Sequence, residues 1–482
     1  MKMSWNRRAF LETTALSTAA LSARLAAAAE ERNAPGGLNA ITGLPPARIH
    51  RVYAGRSGDD YLTRPTEEFH RIEHYLSELA TKLGDVEFTG GELIPGVSAE
   101  SVVPRVKEAD ALLIIHLSGH GGDAPALTKL VDVGRPTAVF SQPFSGHGWM
   151  DFPLWHKQGK RVVLFPTSDW TALDRAAGML RASAWLKQSR VLAVGGPHGT
   201  KAACTPELVK ERLGVDLVAI TQDRVLEYMR SIDPKEAESE AEAYWLSQAR
   251  KVVEPTRPDI IESARMYLGI RKLMAEEKAQ AICSQACMGT PRGCLTFSKL
   301  NDLGLVGGCE GDIDSTLTML IFAYAFRVPG FISDPVIDTA RNAIVHFHCT
   351  SATRLDGPSG PRLPFTIRSQ TDSRGGVALE VENRVGQPVT CAKLVNLDAM
   401  LYVPGEIVET STSPLACRTQ FTQRVPDARR LFLEWGGDVL DGDTMTRLHR
   451  VVFYGDFTRP LQDLGDLLGF KPIEEGAPAA RA

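Results

Sequence analysis

The sequence predicts an α/β protein: two Rossmann-like α/β domains followed by a C-terminal β-rich, barrel-like domain. Three observations carry that reading. At 482 residues the chain exceeds what one hydrophobic core usually organises. From Arg48 onward, helical periodicity alternates with short apolar runs, the mark of a layered α/β fold. After Cys349 the pattern changes to strand after strand with dense turns, as in a separate antiparallel unit. The expected boundaries are residues 47–200 and 201–355 for the two α/β domains and 356–470 for the β-rich one.

The first 29 residues stand apart. "NRRAFLETTALSTAALSARLAAAAE" has paired Arg7 and Arg8, then Phe10 and Leu11, a weakly apolar stretch, and alanines before Glu30. It looks like a twin-arginine export signal with a cut between Ala26 and Ala29, which implies a periplasmic or extracytoplasmic mature protein. The longest later apolar run, Leu317 to Val328, falls short of the ~18 residues a spanning helix needs, so no membrane partner is expected after cleavage. A net charge of −4 with 43% hydrophobic and 23% charged residues supplies no broad basic field for nucleic acid. Small molecules or further copies of the chain remain as partners.

"RIHRVYAG" reads as a strand and "EEFHRIEHYLSELATKLG" as an amphipathic helix closed by Gly84. His70 and His74 share its face at i,i+4; with no further ligand type nearby they read as surface residues. "ADALLIIHLSG", "PTAVFSQPF", "KRVVLFPTSD" and "SRVLAVGG" follow as buried parallel strands. Ligands in such sheets gather beyond the carboxyl ends of the strands, which marks "SGHGGD" (Ser118 to Asp123), "SGHGW" (Ser145 to Trp149) and "GGPHGT" (Gly195 to Thr200) as binding edges. None has P-loop or dinucleotide spacing. Two charged helices come next, the acidic run Glu236 to Glu242 being a solvated face, and "AQAICSQAC" resumes strand character. Beyond the Gly/Pro linker "TRLDGPSGPRLP", every apolar run through "RRLFLEWG" and "HRVVFYGD" reads as a strand. The eight cysteines read mostly as small buried residues, since Cys283, Cys287 and Cys294 match no usual zinc spacing.

The stretch with chemical content is "GGCEGDIDSTLTML", Gly307 to Leu320. Asp312 or Asp314 can cap the helix beginning near Ser315. Glu310 is harder to explain as a helix start, because "STLTMLIFAYAF" is apolar nearly all round and belongs in a core. A glutamate at the mouth of a buried helix needs a partner. "FISD" reads as a short strand ending in Asp334, which can return beside Glu310, and "NAIVHFHC" as another with His346 and His348 on one side. Carboxylates with an imidazole suit a divalent metal such as Mn2+; a buried polar network is the other reading of the same residues.

"FSKLNDLGLVGGCEGDIDSTLTML", "SDPVIDTARNAIVHFHC" and the late "HRVVFYGD" resemble the L-fucose isomerase family, related to the L-arabinose isomerases. The resemblance implies the domain order above, a metal-dependent aldose–ketose isomerase commonly using Mn2+, and a homo-oligomer, hexamer or trimer, with a small sugar as substrate. It implies Glu310, Asp334 and His449 as metal ligands, with His348 as a further candidate. Glu310 and Asp334 would also be the catalytic acid/base pair for a cis-enediol reaction on a pentose, hexose or 6-deoxyhexose. Two alternatives stand beside it: an exported sugar-binding protein without turnover, and a glycoside hydrolase using Glu310 and Asp334 as its two carboxylates.

Overall fold

The structure, a computed structural model, describes residues 38–56, 58–59, 64–94, 96–117, 124–285, 292–370, 375–436 and 447–477. The export-signal reading and the "SGHGGD" loop lie outside these residues. No described helix is long and apolar enough to cross a membrane.

Five parallel strands, β1 (Ala47–Ala54), β2 (Val86–Ile94), β3 (Ala111–His116), β4 (Thr137–Ser141) and β5 (Val162–Pro166), form a first sheet in the order β2-β1-β3-β4-β5. β3 and β4 are buried at every position, which is why they read as unbroken apolar runs. The helix Pro65–Leu83 buries Ile72, Leu76, Leu79 and Leu83, one stripe at helical spacing, and Gly84 ends it at φ 68°.

A second parallel sheet contains β6 (Arg190–Val194) and β7 (Asp216–Ile220). β8 (Lys251–Val252) leaves it, and β9 (Ala281–Ser284) and β10 (Val306–Gly308) complete the order β10-β9-β6-β7. "SRVLAVGG", expected with the first domain, is β6 and so opens the second sheet.

The third sheet closes on itself. β11 (Phe331–Asp338), β12 (Ala343–His348), β15 (Pro388–Val395), β16 (Ala399–Thr410), β17 (Thr419–Arg424) and β18 (Arg450–Tyr454) form a six-stranded antiparallel barrel in the cyclic order β15-β18-β11-β12-β17-β16, and β19 (Lys471–Glu474) adds in parallel beside β16. Closure removes the exposed edges of an open sheet. β13 (Phe365–Arg368) and β14 (Ala378–Val381) pair instead with β8 in a small separate sheet.

Three expectations are corrected. The strands carrying Asp334 and His348 belong to the barrel and not to the second α/β domain, so barrel chain begins at Phe331, well before residue 355. They are the two arms of a hairpin whose outer edges need β18 and β17. β11 also runs past Asp334 to Asp338; its pairing with β18 stops at Ser333, so Pro335 sits where the missing N–H costs no ladder bond on that side. "RRLFLEWG" is not a strand: Asp427 accepts from the Arg430 N–H at 2.9 Å and Asn342 from the Ala428 N–H at 2.7 Å, starting the helix Ala428–Glu434.

The helix Ile313–Phe326 ties the layers together and is buried along nearly its whole length. Gly178 of the helix Thr171–Leu186 lets the two backbones touch: a Cβ there would lie 2.2 Å from the Ala325 carbonyl oxygen. On the other side Phe322 stacks on Phe453 of β18, centroids 3.6 Å apart. Burying one such ring is worth about 2–3 kcal/mol. These contacts fix the C-terminal half of the helix, while near its start Thr316 packs against Gly308 of β10 in the second sheet.

Candidate metal centre

Glu310 sits in the turn between β10 and that helix, at φ 58°, followed by Gly311 at φ 73°. Two consecutive left-handed residues turn the chain sharply. A non-glycine residue held there stores strain of the kind that collects at functional sites. The preceding glycine is dictated by packing: a Cβ on Gly308 would lie 2.1 Å from Thr316 Oγ1. Asp312 then caps the helix, accepting from the Ser315 N–H at 2.9 Å.

The barrel delivers the other groups from three adjacent strands. β11 pairs with β18 on one side, Ser333 opposite Arg450, and with β12 on the other, Asp334 opposite Phe347. His449, immediately before β18, and His348, closing β12, therefore arrive on either side of Asp334. His449 Nε2 lies 3.3 Å from Asp334 Oδ1 and 3.4 Å from Glu310 Oε2. His348 Nε2 lies 4.0 Å from Glu310 Oε1. All four sequence-derived residues are thus brought together, although 139 positions separate the first from the last in the chain order Glu310 to His449. His348 groups with Asp334 and His449, and also with Cys309 and Glu310, ligand atoms within 4.8 Å of one another in each set.

The donors fit a divalent cation. Both Nε2 atoms, of His348 and of His449, are buried and lack a hydrogen-bond partner, a costly state unless something is bound between them. Full burial works against a charged His449, yet its Nδ1 hydrogen bond to Asp312 and the nearby Asp334 and Glu310 carboxylates prevail and raise its pKa to about 10. His449, with His348 adding its charge, holds the Glu310 carboxyl below its ordinary value against burial. Burial alone would raise Asp334, but the same two imidazoles bring it down. Positive charge on the imidazoles balances these carboxylates, and a divalent cation would take that place as it displaced the imidazole protons.

Asp312 does more than cap. Its Oδ2 accepts from Ser315 Oγ at 2.7 Å, from the buried Lys393 ammonium at 2.6 Å and from His449 Nδ1 at 3.1 Å. With a metal bound and its Nε2 proton displaced, an Nδ1–H donated to Asp312 would hold Nε2 aimed at the centre as a lone-pair donor. Sequence reasoning saw only the cap; the missed signal was Lys393, a cation in the otherwise apolar strand "PVTCAKLVN". Asp314 faces the other way, taking the Thr200 N–H at 2.6 Å and Thr200 Oγ1 at 2.7 Å, and burial pushes its pKa up to about 7.

The remaining expected residues divide. "GGPHGT" is at the site as its clamp: the His198 N–H donates to the Gly311 carbonyl at 2.7 Å and the Ile313 N–H to the His198 carbonyl at 2.9 Å. His346 is a satisfied core residue, bonded to Ser333 Oγ at 2.7 Å and Gln423 Oε1 at 2.9 Å. Ser145 of "SGHGW" bonds to Ser141 and the Gln142 carbonyl at the end of the first sheet. His74 is exposed beside Glu78.

No protein-family model and no curated protein matches the chain. Among the solved structures that match is an ABC transporter solute-binding protein from Burkholderia multivorans, 10% identical, the match covering 50% of this chain and 80% of that one with a TM-score of 0.18. A likeness that weak carries no argument about fold or function.

Proposed function

We propose that the chain is a metal-dependent aldose–ketose isomerase acting on a monosaccharide, with Glu310, Asp334, His348 and His449 holding a divalent metal such as Mn2+. The observation that carries this is the pair of buried, unpartnered imidazole nitrogens converging with two carboxylates. The resemblance to the L-fucose isomerase family supports the reaction class, and with it two Rossmann-like domains, a homo-oligomer and an exported, periplasmic protein.

When bound, the metal supplies Lewis-acid polarisation of the sugar's carbonyl and neighbouring hydroxyl oxygens. The protein's own groups do the proton work. Glu310, whose side chain is 36% exposed, can reach a substrate and take the C–H proton; Asp334, on the opposite flank of His449, moves the hydroxyl proton, and the sugar passes through a cis-enediol. Their depressed pKa values keep both ionised, hence ready as acceptors, at neutral pH. Asp312 fixes the orientation and tautomer of His449 and takes no part in the proton transfers.

The test is metal content of the purified protein, followed by aldose-to-ketose conversion over a panel of pentoses, hexoses and 6-deoxyhexoses with Mn2+ and with EDTA. Turnover should need metal and vanish in Glu310→Gln, which should also retain less metal. Sugar binding without turnover in the metal-loaded protein would favour a binding protein, and metal-independent glycoside cleavage a hydrolase.

A further inference from the structure

Beside the metal centre three thiols lie together. Cys349 directly follows His348 at the end of β12, Cys294 opens the buried helix Cys294–Asp302, and Cys417 lies just before β17. Cys294 and Cys349 are 3% and 2% exposed and share one small core with Ala378, and half-buried Cys417 packs against it. The sulfur of Cys349 contacts both of the others. β12 and β17 are paired antiparallel strands with His348 opposite Thr419, so Cys349 follows the last rung on one strand and Cys417 lies two residues before it on the other. The register sets Cys349 one residue away from facing Cys417, and the shared packing cluster is what brings the two thiols together.

We propose that Cys349 and Cys417 are a redox modification site that closes to an intramolecular disulfide when the protein meets a disulfide-bearing oxidant, small or protein-borne. Access and mobility choose the pair. Cys417 is the half-buried member, just after the exposed residues 412–415, and is where an oxidant can arrive. Cys294 is held in a helix buried at every position and has no comparable freedom. The Cys417 sulfur attacks the reagent's disulfide, forming a mixed disulfide and releasing one reagent thiol. Cys349 then attacks the Cys417 sulfur; the bond to the reagent breaks and the second reagent thiol leaves. Two electrons pass from the protein sulfurs to the reagent, and the two thiol protons end on its sulfurs. The product ties the end of β12, where His348 sits, to the start of β17. The disulfide stands whether or not the protein is an isomerase.

The full-length protein is incubated with oxidised glutathione, with and without EDTA, then alkylated under denaturing conditions and mapped by peptide mass spectrometry without reduction. The expected result is a linked Cys349–Cys417 peptide, two fewer alkylated thiols, and full reversal by dithiothreitol. Cys349→Ala should stop at a glutathione adduct on Cys417, and Cys417→Ser should leave Cys349 alkylated. Three results would overturn the proposal: Cys349 alkylated throughout in the wild-type chain, Cys349 linked to Cys294, or a lasting glutathione adduct on Cys417 with no second thiol lost.

Discussion

Asp312→Asn separates the two duties of Asp312. The carboxylate takes four donors: the Ser315 N–H, Ser315 Oγ, Lys393 Nζ and His449 Nδ1. An asparagine can keep its oxygen on the Ser315 N–H and preserve the cap, but its NH2 then faces the Lys393 ammonium and the His449 N–H, donor against donor. Flipped, it keeps those contacts without the charge and loses the cap. Lys393 is fully buried, and stripping a buried ion of its partner costs about 3–5 kcal/mol. Asp314, with a pKa of about 7, ionises more readily once Asp312 is neutral, so the cost falls toward the lower figure. With its Nδ1 partner gone, His449 can turn over its tautomer and present N–H to the centre, a change of the kind that lowers metal affinity about 10- to 100-fold. Asp312→Asn combined with Lys393→Met removes the buried cation that faces the amide and should recover much of the stability while leaving affinity low. Denaturation midpoints and Mn2+ titration on both variants decide it. A double variant that binds metal as tightly as the wild type would refute the orienting role.

The two histidines of β12 should part company. His348→Ala lowers metal occupancy, whereas His346→Ala leaves Gln423 Oε1 without its partner and Ser333 with only the Arg450 carbonyl and lowers stability by about 1–3 kcal/mol with metal content kept; the reverse pattern, read by elemental analysis and thermal melts, would sink the assignment. His116 provides a pH test away from the site. Burial drives its pKa down to about 4, below the ~6.5 of an unfolded chain, so the unfolded state takes up the proton first. Its contribution to stability is complete above about pH 6.5 and is lost as pH falls toward 4, by up to about 3 kcal/mol at ~1.4 kcal/mol per pH unit. Urea midpoints of His116→Leu should therefore fall less steeply over that range than those of the wild type; parallel slopes would clear His116.

What the sequence made legible followed local rules. β3 and β4 announced themselves because both faces of each strand are covered, and Glu310 stood out because a charged residue preceded an all-round apolar helix. What escaped depended on distant pairing. Nothing local distinguishes the strand Phe331–Asp338 as barrel from the same strand as a continuation of the second sheet; its partners are set by β18, more than a hundred residues later. "RRLFLEWG" has strand-like composition, and its helical state is decided by Asn342 holding the Ala428 N–H from another element. Likewise the second duty of Asp312 exists only because β15 carries Lys393 to it and the chain before β18 carries His449. Local pattern specifies the element, and tertiary contact specifies what a polar residue in it is for.

The cost of assembling this centre yields the last prediction. Glu310 holds a left-handed backbone, two imidazole nitrogens lack hydrogen-bond partners, and the carboxylates of Glu310 and Asp334 crowd the same buried imidazole. Each feature disfavours the folded chain on its own, and all are relieved by one divalent cation. Binding to the folded state alone therefore raises stability as RT ln(1 + [M]/Kd), about 2.7 kcal/mol at one hundred times Kd. The melting temperature should climb with the logarithm of Mn2+ concentration in the wild type and respond far less in Glu310→Gln. Because Glu310 sits before the helix that packs on the first-sheet helix Thr171–Leu186 and on the barrel, the rise should extend to the unfolding of both. A melt indifferent to Mn2+ would mean that the polar cluster is satisfied internally and that its groups are structural.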